Sequence, residues 1–153
     1  MLELLTPMVK LERVTRSINP ATFVAAPGIW AQVQSDGSLI NVLAGVNAKI
    51  NKLVISSASS NIYESHDVEV GRVTSMDSHG IRVKVDTAGF TGTPAQGDLL
   101  VVCSEALKLG KLISTAGAVN GTYEIVARAE EVYLSSGIII YRTISPTMIT
   151  ISR

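Results

Sequence analysis

The sequence predicts an all-β fold class: a compact β-barrel or β-sandwich, of the β-tulip or jelly-roll kind, with long hairpins and an N-terminal arm. Three observations carry this expectation. Short runs of β-branched and aliphatic residues recur along the chain, separated by turn formers, as in folds built of many short strands. Ile81-Arg-Val-Lys-Val-Asp86 alternates apolar and charged side chains without a break, the period of a strand with one buried face. No segment of ten or more residues holds a helical apolar period.

The expected organisation is an arm over residues 1–20 and a single all-β domain over residues 21–153. In the arm, Leu2, Leu4, Leu5, Met8 and Val9 precede any secure strand, and Pro7 interrupts them. An exposed apolar arm is a liability on a monomer. Either a partner or sister subunit orders it, or it packs on its own domain. Val9–Arg16 reads as a first strand, followed by an irregular stretch with Pro20 and Pro27. Ile29–Gln34 and Ser38–Val42 flank Asp36-Gly37, the signal for a hairpin whose tight primed turn needs positive φ at its centre. Lys49–Ser56 reads as a strand burying Leu53, Val54 and Ile55, and Ser56–Asn61 as a small-polar loop.

Val68–Met76 and Ile81–Asp86 form the expected hairpin, joined by Asp77-Ser78-His79-Gly80. Thr87–Gln96 is a loop with Gly89, Gly92 and Pro94. Asp98–Cys103 is a continuous apolar run suited to a central strand. Ser104–Leu109 offers one helical turn, and Lys111–Ser114 pairs back. Thr122–Leu134 and Gly137–Thr143 form a long hairpin across Ser135-Ser136-Gly137, and the flat apolar Gly-Ile-Ile-Ile-Tyr must be paired or covered. Pro146 ends that run. Thr147–Ser152 forms a separate strand, with Met148, Thr150 and Ser152 on one side and Ile149 and Ile151 on the other. One faint repetition exists: Gly28-Ile-Trp with Asp36-Gly-Ser-Leu echoes Gly97-Asp-Leu-Leu with Gly110-Lys-Leu.

Charge narrows the function classes. Lys plus Arg and Asp plus Glu are 13 each, net charge is zero, and charged residues are only 17%, against roughly 25% in ordinary soluble domains. Near-zero net charge favours association, which points to an oligomer or larger assembly; a weakly charged but well-packed β domain is the plainer alternative. No basic run marks a nucleic-acid binder. No stretch of ~20 apolar residues marks a spanning helix. Glu3 stands where a signal peptide wants a basic region, so synthesis and folding in a cytoplasm are expected. The single cysteine, Cys103, cannot form an intramolecular disulfide.

The residues supply no catalytic, cofactor-binding or metal constellation. His66 and His79 lie apart without metal-ligand spacing, and Asp77 beside His79 reads more simply as a polar turn. Cys103, inside an apolar run, is expected to be buried and inert. Gly110-Lys111 lacks the phosphate-loop pattern. Glu130 and Glu131 are adjacent in a strand and are expected on opposite faces, unable to act as a pair. Trp30 is the only tryptophan and is expected as a core or interface anchor. The expectation is a protein that is no enzyme, with no cofactor or small-molecule substrate. Its candidate partner-contact residues are Leu2, Leu4, Leu5, Met8, Val9 and Trp30.

A family resemblance rests on the order of short elements from Pro27 to Arg142. They are Gly28-Ile-Trp with Asp36-Gly-Ser-Leu, Lys52-Leu-Val-Ile, Gly71-Arg-Val-Thr-Ser with Ile81-Arg-Val-Lys-Val, and Gly97-Asp-Leu-Leu-Val. Gly110-Lys-Leu, Gly121-Thr-Tyr-Glu-Ile-Val-Ala-Arg-Ala-Glu-Glu-Val and Gly137-Ile-Ile-Ile-Tyr-Arg follow. The series resembles the capsid cement, or head decoration, proteins of tailed bacteriophages. That resemblance implies a structural virion protein on the capsid surface, a homotrimer that binds the major capsid protein from outside and braces the lattice. It implies neither nucleic acid nor membrane as partner. The apolar arm with Pro7 departs from the short polar tail common in that family. The alternative is a tail, fibre or baseplate β module, with Ser56–Asn61 and Thr87–Gln96 as its recognition loops.

Overall fold

The structure is a computed structural model, describing residues 2–6, 12–19, 26–41, 51–57, 72–76, 79–103, 105 and 108–153. Its strands are β1 (Leu2–Leu4), β2 (Arg13–Ser17), β3 (Trp30–Val33), β4 (Leu39–Ile40), β5 (Asn51–Ser57), β6 (Arg72–Met76), β7 (Arg82–Asp86), β8 (Leu99–Val102), β9 (Leu112–Ser114), β10 (Gly121–Tyr133) and β11 (Ile138–Ile151). They form two antiparallel sheets, ordered β1-β7-β11-β10-β8-β9 and β2-β6-β5-β3-β4. Of the two expected architectures the sandwich is the one observed; neither sheet closes into a barrel.

The two sheets are the same unit twice. Strands β2 to β6 and strands β7 to β11 occupy identical places in their sheets, with β1 added outside β7. Register agrees as well as order. Arg13 pairs with Met76 and Ser17 with Arg72, as Arg82 pairs with Arg142 and Asp86 with Ile138. Gly28 and Gly97 have φ of 96° and 88°. Their N–H groups donate to Val54 and Ala129, whose own N–H groups donate back to Ile29 and Asp98. One residue beyond each of those partners, both β5 and β10 carry a register shift. The faint sequence echo therefore marks a structural duplication.

The stacking is front to back. Val83, Val85, Leu100, Leu112, Ala129, Ile139 and Tyr141 of the larger sheet share one core with Trp30, Leu53 and Met76 of the smaller. The smaller sheet's counterparts of that first set, including Ala31, Leu39, Val54 and Val73, form a separate cluster on its other face. The larger sheet's counterparts of Trp30, Leu53 and Met76 are Leu99, Arg128 and Arg142. Both arginines are exposed, so charge terminates the stack.

Several local expectations need correction. β6 and β7 do not form a hairpin; each joins a different sheet. A turn signal between two strand-like runs is local, whereas β7 gains more by pairing β11 and supplying Val83 and Val85 to the core. Pro146 does not end a strand: β11 runs through it. Between the pairs Ala127–Thr143 and Ile125–Thr147 the register shifts, so the proline sits in a bulge, where its missing N–H is tolerated. The Asp36-Gly37 turn is not the tight primed form. Gly37 N–H donates to Gln34 and Gln34 N–H to Ser38, a longer loop with Gly37 at φ 87°. Ile55 is only half-buried because the β5 bulge falls on it. Ser56 and Ser57 continue β5 instead of opening a loop. Val9–Leu11, Lys49, Ile50, Ala58–Asn61, Val68–Gly71 and the centre of the Ser104–Leu109 turn lie outside the described residues.

Candidate interaction surface

The start of the arm is an edge strand on its own chain. Leu2 pairs with Val85 and Leu4 with Val83, placing both leucines on the core face, where they pack half-buried on the main cluster. Leu5 N–H donates to Arg82 O at 2.9 Å, and Thr6 Oγ1 accepts from Arg82 N–H at 2.8 Å. Lys84 Nζ lies 3.6 Å from Glu3. Leu5 is 36% exposed. Met8 and Val9 lie outside the described residues. Trp30 is 5% exposed and sits between the sheets, a core position within this chain.

Beside Trp30 the interface turns polar. Glu124 Oε1 accepts from Asn51 N–H at 2.9 Å and from Asn51 Nδ2 at 3.3 Å, linking the sheets. Burial pushes the Glu124 carboxyl above its usual range, with Asn51 and Lys52 pulling it back. Tyr141, fully buried, has its phenol pushed up by desolvation, partly opposed by the Trp30 indole N–H. Neither Trp30 Nε1 nor Tyr141 Oη makes a hydrogen bond of ordinary geometry. A narrow cleft lined by Trp30, Asn51, His79, Thr143 and Pro146 opens nearby.

Glu130 and Glu131 correct the sequence reading. The bulge between Ala129 and Glu131 breaks strict alternation, and both carboxylates reach one side. Arg82 Nε donates to Glu130 at 2.7 Å, and Arg82 Nη2 contacts Glu131. Arg142 Nε holds the other Glu130 oxygen at 2.9 Å. Arg142, and then Arg82, hold the Glu130 carboxyl below its usual range. The group is a charge-balanced surface network.

Cys103 is buried, and desolvation pushes its thiol up. His79 is exposed; His66 and Asp77 lie outside the described residues. No three His, Cys, Asp or Glu side chains among the described residues gather as a metal would require. No described helix is long and apolar enough to cross a membrane.

Other large apolar side chains are exposed at separate places. Tyr133 and Leu134 are 48% and 46% exposed at the tip of the β10–β11 hairpin, and Met148 is 50% exposed on β11 beyond the reach of β7. The candidate set from sequence contained none of these three. Their signal was positional: two apolar residues beside Ser135-Ser136-Gly137, and a methionine opposite the Ile149/Ile151 side of the last strand.

Comparison of the chain with known family models, with curated proteins and with solved structures returns no match in any of the three.

Proposed function

We propose that the chain is a structural virion protein that decorates a capsid from outside, binding the lattice of the major capsid protein and stabilising it. The observation that carries this reading is the location of exposed apolar side chains. Leu5, Tyr133, Leu134 and Met148 lie at the arm, a hairpin tip and a strand edge, the places where a rigid sandwich meets other proteins. The duplicated framework supports the same role, because paired strands packed around one core resist deformation. The low charge and the ordered elements from Pro27 to Arg142 point the same way.

Purified protein added to expanded heads that lack it should bind them and raise the temperature at which they rupture. Heads whose rupture temperature is unchanged at saturating protein would sink the proposal. Labelled protein seen by negative-stain microscopy on tails instead of heads would favour the tail or baseplate alternative.

A further inference from the structure

Going beyond the decoration reading and standing apart from it, we propose that the C-terminal half of β11 is a self-association edge. It pairs antiparallel with the same edge of a second copy about a two-fold axis.

The first ground is an unused strand edge. β7 pairs with β11 only over Ile138–Arg142, and Thr143 adds bonds to Gly80 and Ile81. Beyond Thr143, β11 has β10 on one side and no strand among the described residues on the other. Ser145, Pro146, Thr147, Met148 and Thr150 are exposed there, and no described strand roofs the edge.

Its composition is the second ground. An exposed edge templates pairing with another chain unless short length, charge or proline blunts it. The outermost strands of the two described sheets are blunted in these ways. β4 has two residues and β9 three; β1 carries Glu3, and β2 carries Arg13 and Arg16. Ile144–Ile151 carries no charge. Pro146 blunts only one end, leaving Thr147–Ile151 with every N–H present. A charged partner strand would find nothing to pair with, whereas a second copy meets no like-charge penalty. The zero net charge of the chain adds no long-range repulsion.

The register that pairs the whole uncharged, proline-free segment follows from its midpoint. Antiparallel pairing of Thr147–Ile151 with itself is centred on Ile149. It sets Ile149 opposite Ile149 of the second copy, Met148 opposite Thr150, and Thr147 opposite Ile151. These are aliphatic and β-branched pairs, favourable across strands. Ile149 and Ile151 already pack on the cluster around Val101, Tyr123 and Ile125, so pairing continues that cluster into the second copy and covers Met148. Such a contact is isologous and closes at two, giving a dimer where the family resemblance implies a trimer.

Sedimentation equilibrium of the full chain should give twice the chain mass. The M148K/T150K variant places lysines opposite each other twice across the axis and should weaken the dimer by roughly tenfold or more. Ile149→Cys should form an interchain disulfide on mild oxidation, since directly opposed strand residues have Cβ atoms ~4.5–5.5 Å apart, near disulfide reach. Val119→Cys, exposed but off the edge, should not. A monomer or a trimer overturns the proposal, as does a dimer indifferent to the lysines or lacking the Ile149→Cys crosslink. Circular dichroism of M148K/T150K matching wild type guards against misfolding. Head binding is scored separately: a dimer that never binds heads sinks the decoration reading alone, and a lysine variant that binds heads as a monomer supports both.

Discussion

Glu124 is the residue whose role was least visible in the sequence. It lies in Thr122–Leu134, a run correctly expected as a strand, but period-two alternation says nothing about what a buried carboxylate meets across a second sheet. Its partner, Asn51, comes from the other repeat. Desolvation raises the Glu124 pKa in the folded state, so folding favours the protonated form. Below the ordinary glutamate range the penalty is absent. It grows as pH rises from that range through the raised value, and is complete above it. Glu124→Gln keeps an acceptor for Asn51 N–H and removes the charge. Its stability relative to wild type should therefore improve as pH rises from about 4 to 8, measured by urea denaturation at each pH. A gap that stays constant with pH would refute the burial argument. Glu124→Leu, which also strips the acceptor, should be about 1–3 kcal/mol less stable than Glu124→Gln at each pH, with the same pH trend against wild type. Asp98 has the opposite sign: Ala95 N–H and the Ser114 hydroxyl hold its carboxyl low, so its contribution is lost as acid protonates it.

At the scale of elements, what was legible depended on how local the cause was. The alternation of Ile81–Asp86 gave β7, and the turn Ser135-Ser136-Gly137 gave the β10–β11 hairpin, because each depends on neighbours in sequence. The partner of β7 did not follow, since choosing β11 over β6 is decided by a core assembled from both repeats. The bulge in β10 was equally hidden, and it converts Glu130 and Glu131 from opposed side chains into one receptor for Arg82. Arg82 and Arg142 share Glu130, so their contributions should not add. Arg82→Ala should lower the melting temperature more than Arg142→Ala, because Arg82 also holds Glu131. The double variant should lose less than the two losses combined. Additive melting shifts would mean that the two arginines act independently, and that the network is only a set of surface pairs.

For the whole molecule, the duplication has a mechanical consequence. Two five-strand units with matching register could have behaved as separate domains. The smaller sheet, however, gives Trp30, Leu53 and Met76 to the core of the larger, which ties the folding of one unit to the other. The contact is close: Trp30 N–H donates to Gly110 O at 2.8 Å. A Cβ at Gly110, whose φ is 81°, would meet Ile29 Cγ2 and the Trp30 carbonyl at 2.6 Å each. The sequence echo around Gly28 and Gly97 hinted at repeated hairpins. Front-to-back stacking was beyond it, since nothing in one repeat states which of its faces meets the other. Trp30 is the sole tryptophan, so its fluorescence reports this stacking directly, while far-UV circular dichroism reports both sheets. The two probes should give coincident denaturation curves, the mark of one cooperative unit. Leu53→Ala should move both together, at a cost of about 2–5 kcal/mol for truncating a fully buried leucine. Separate transitions, with Trp30 exposed while half the β signal persists, would show that the repeats fold alone and that stacking contributes little. A single transition instead makes the duplicated sandwich one cooperative unit, held together by the residues the two sheets share.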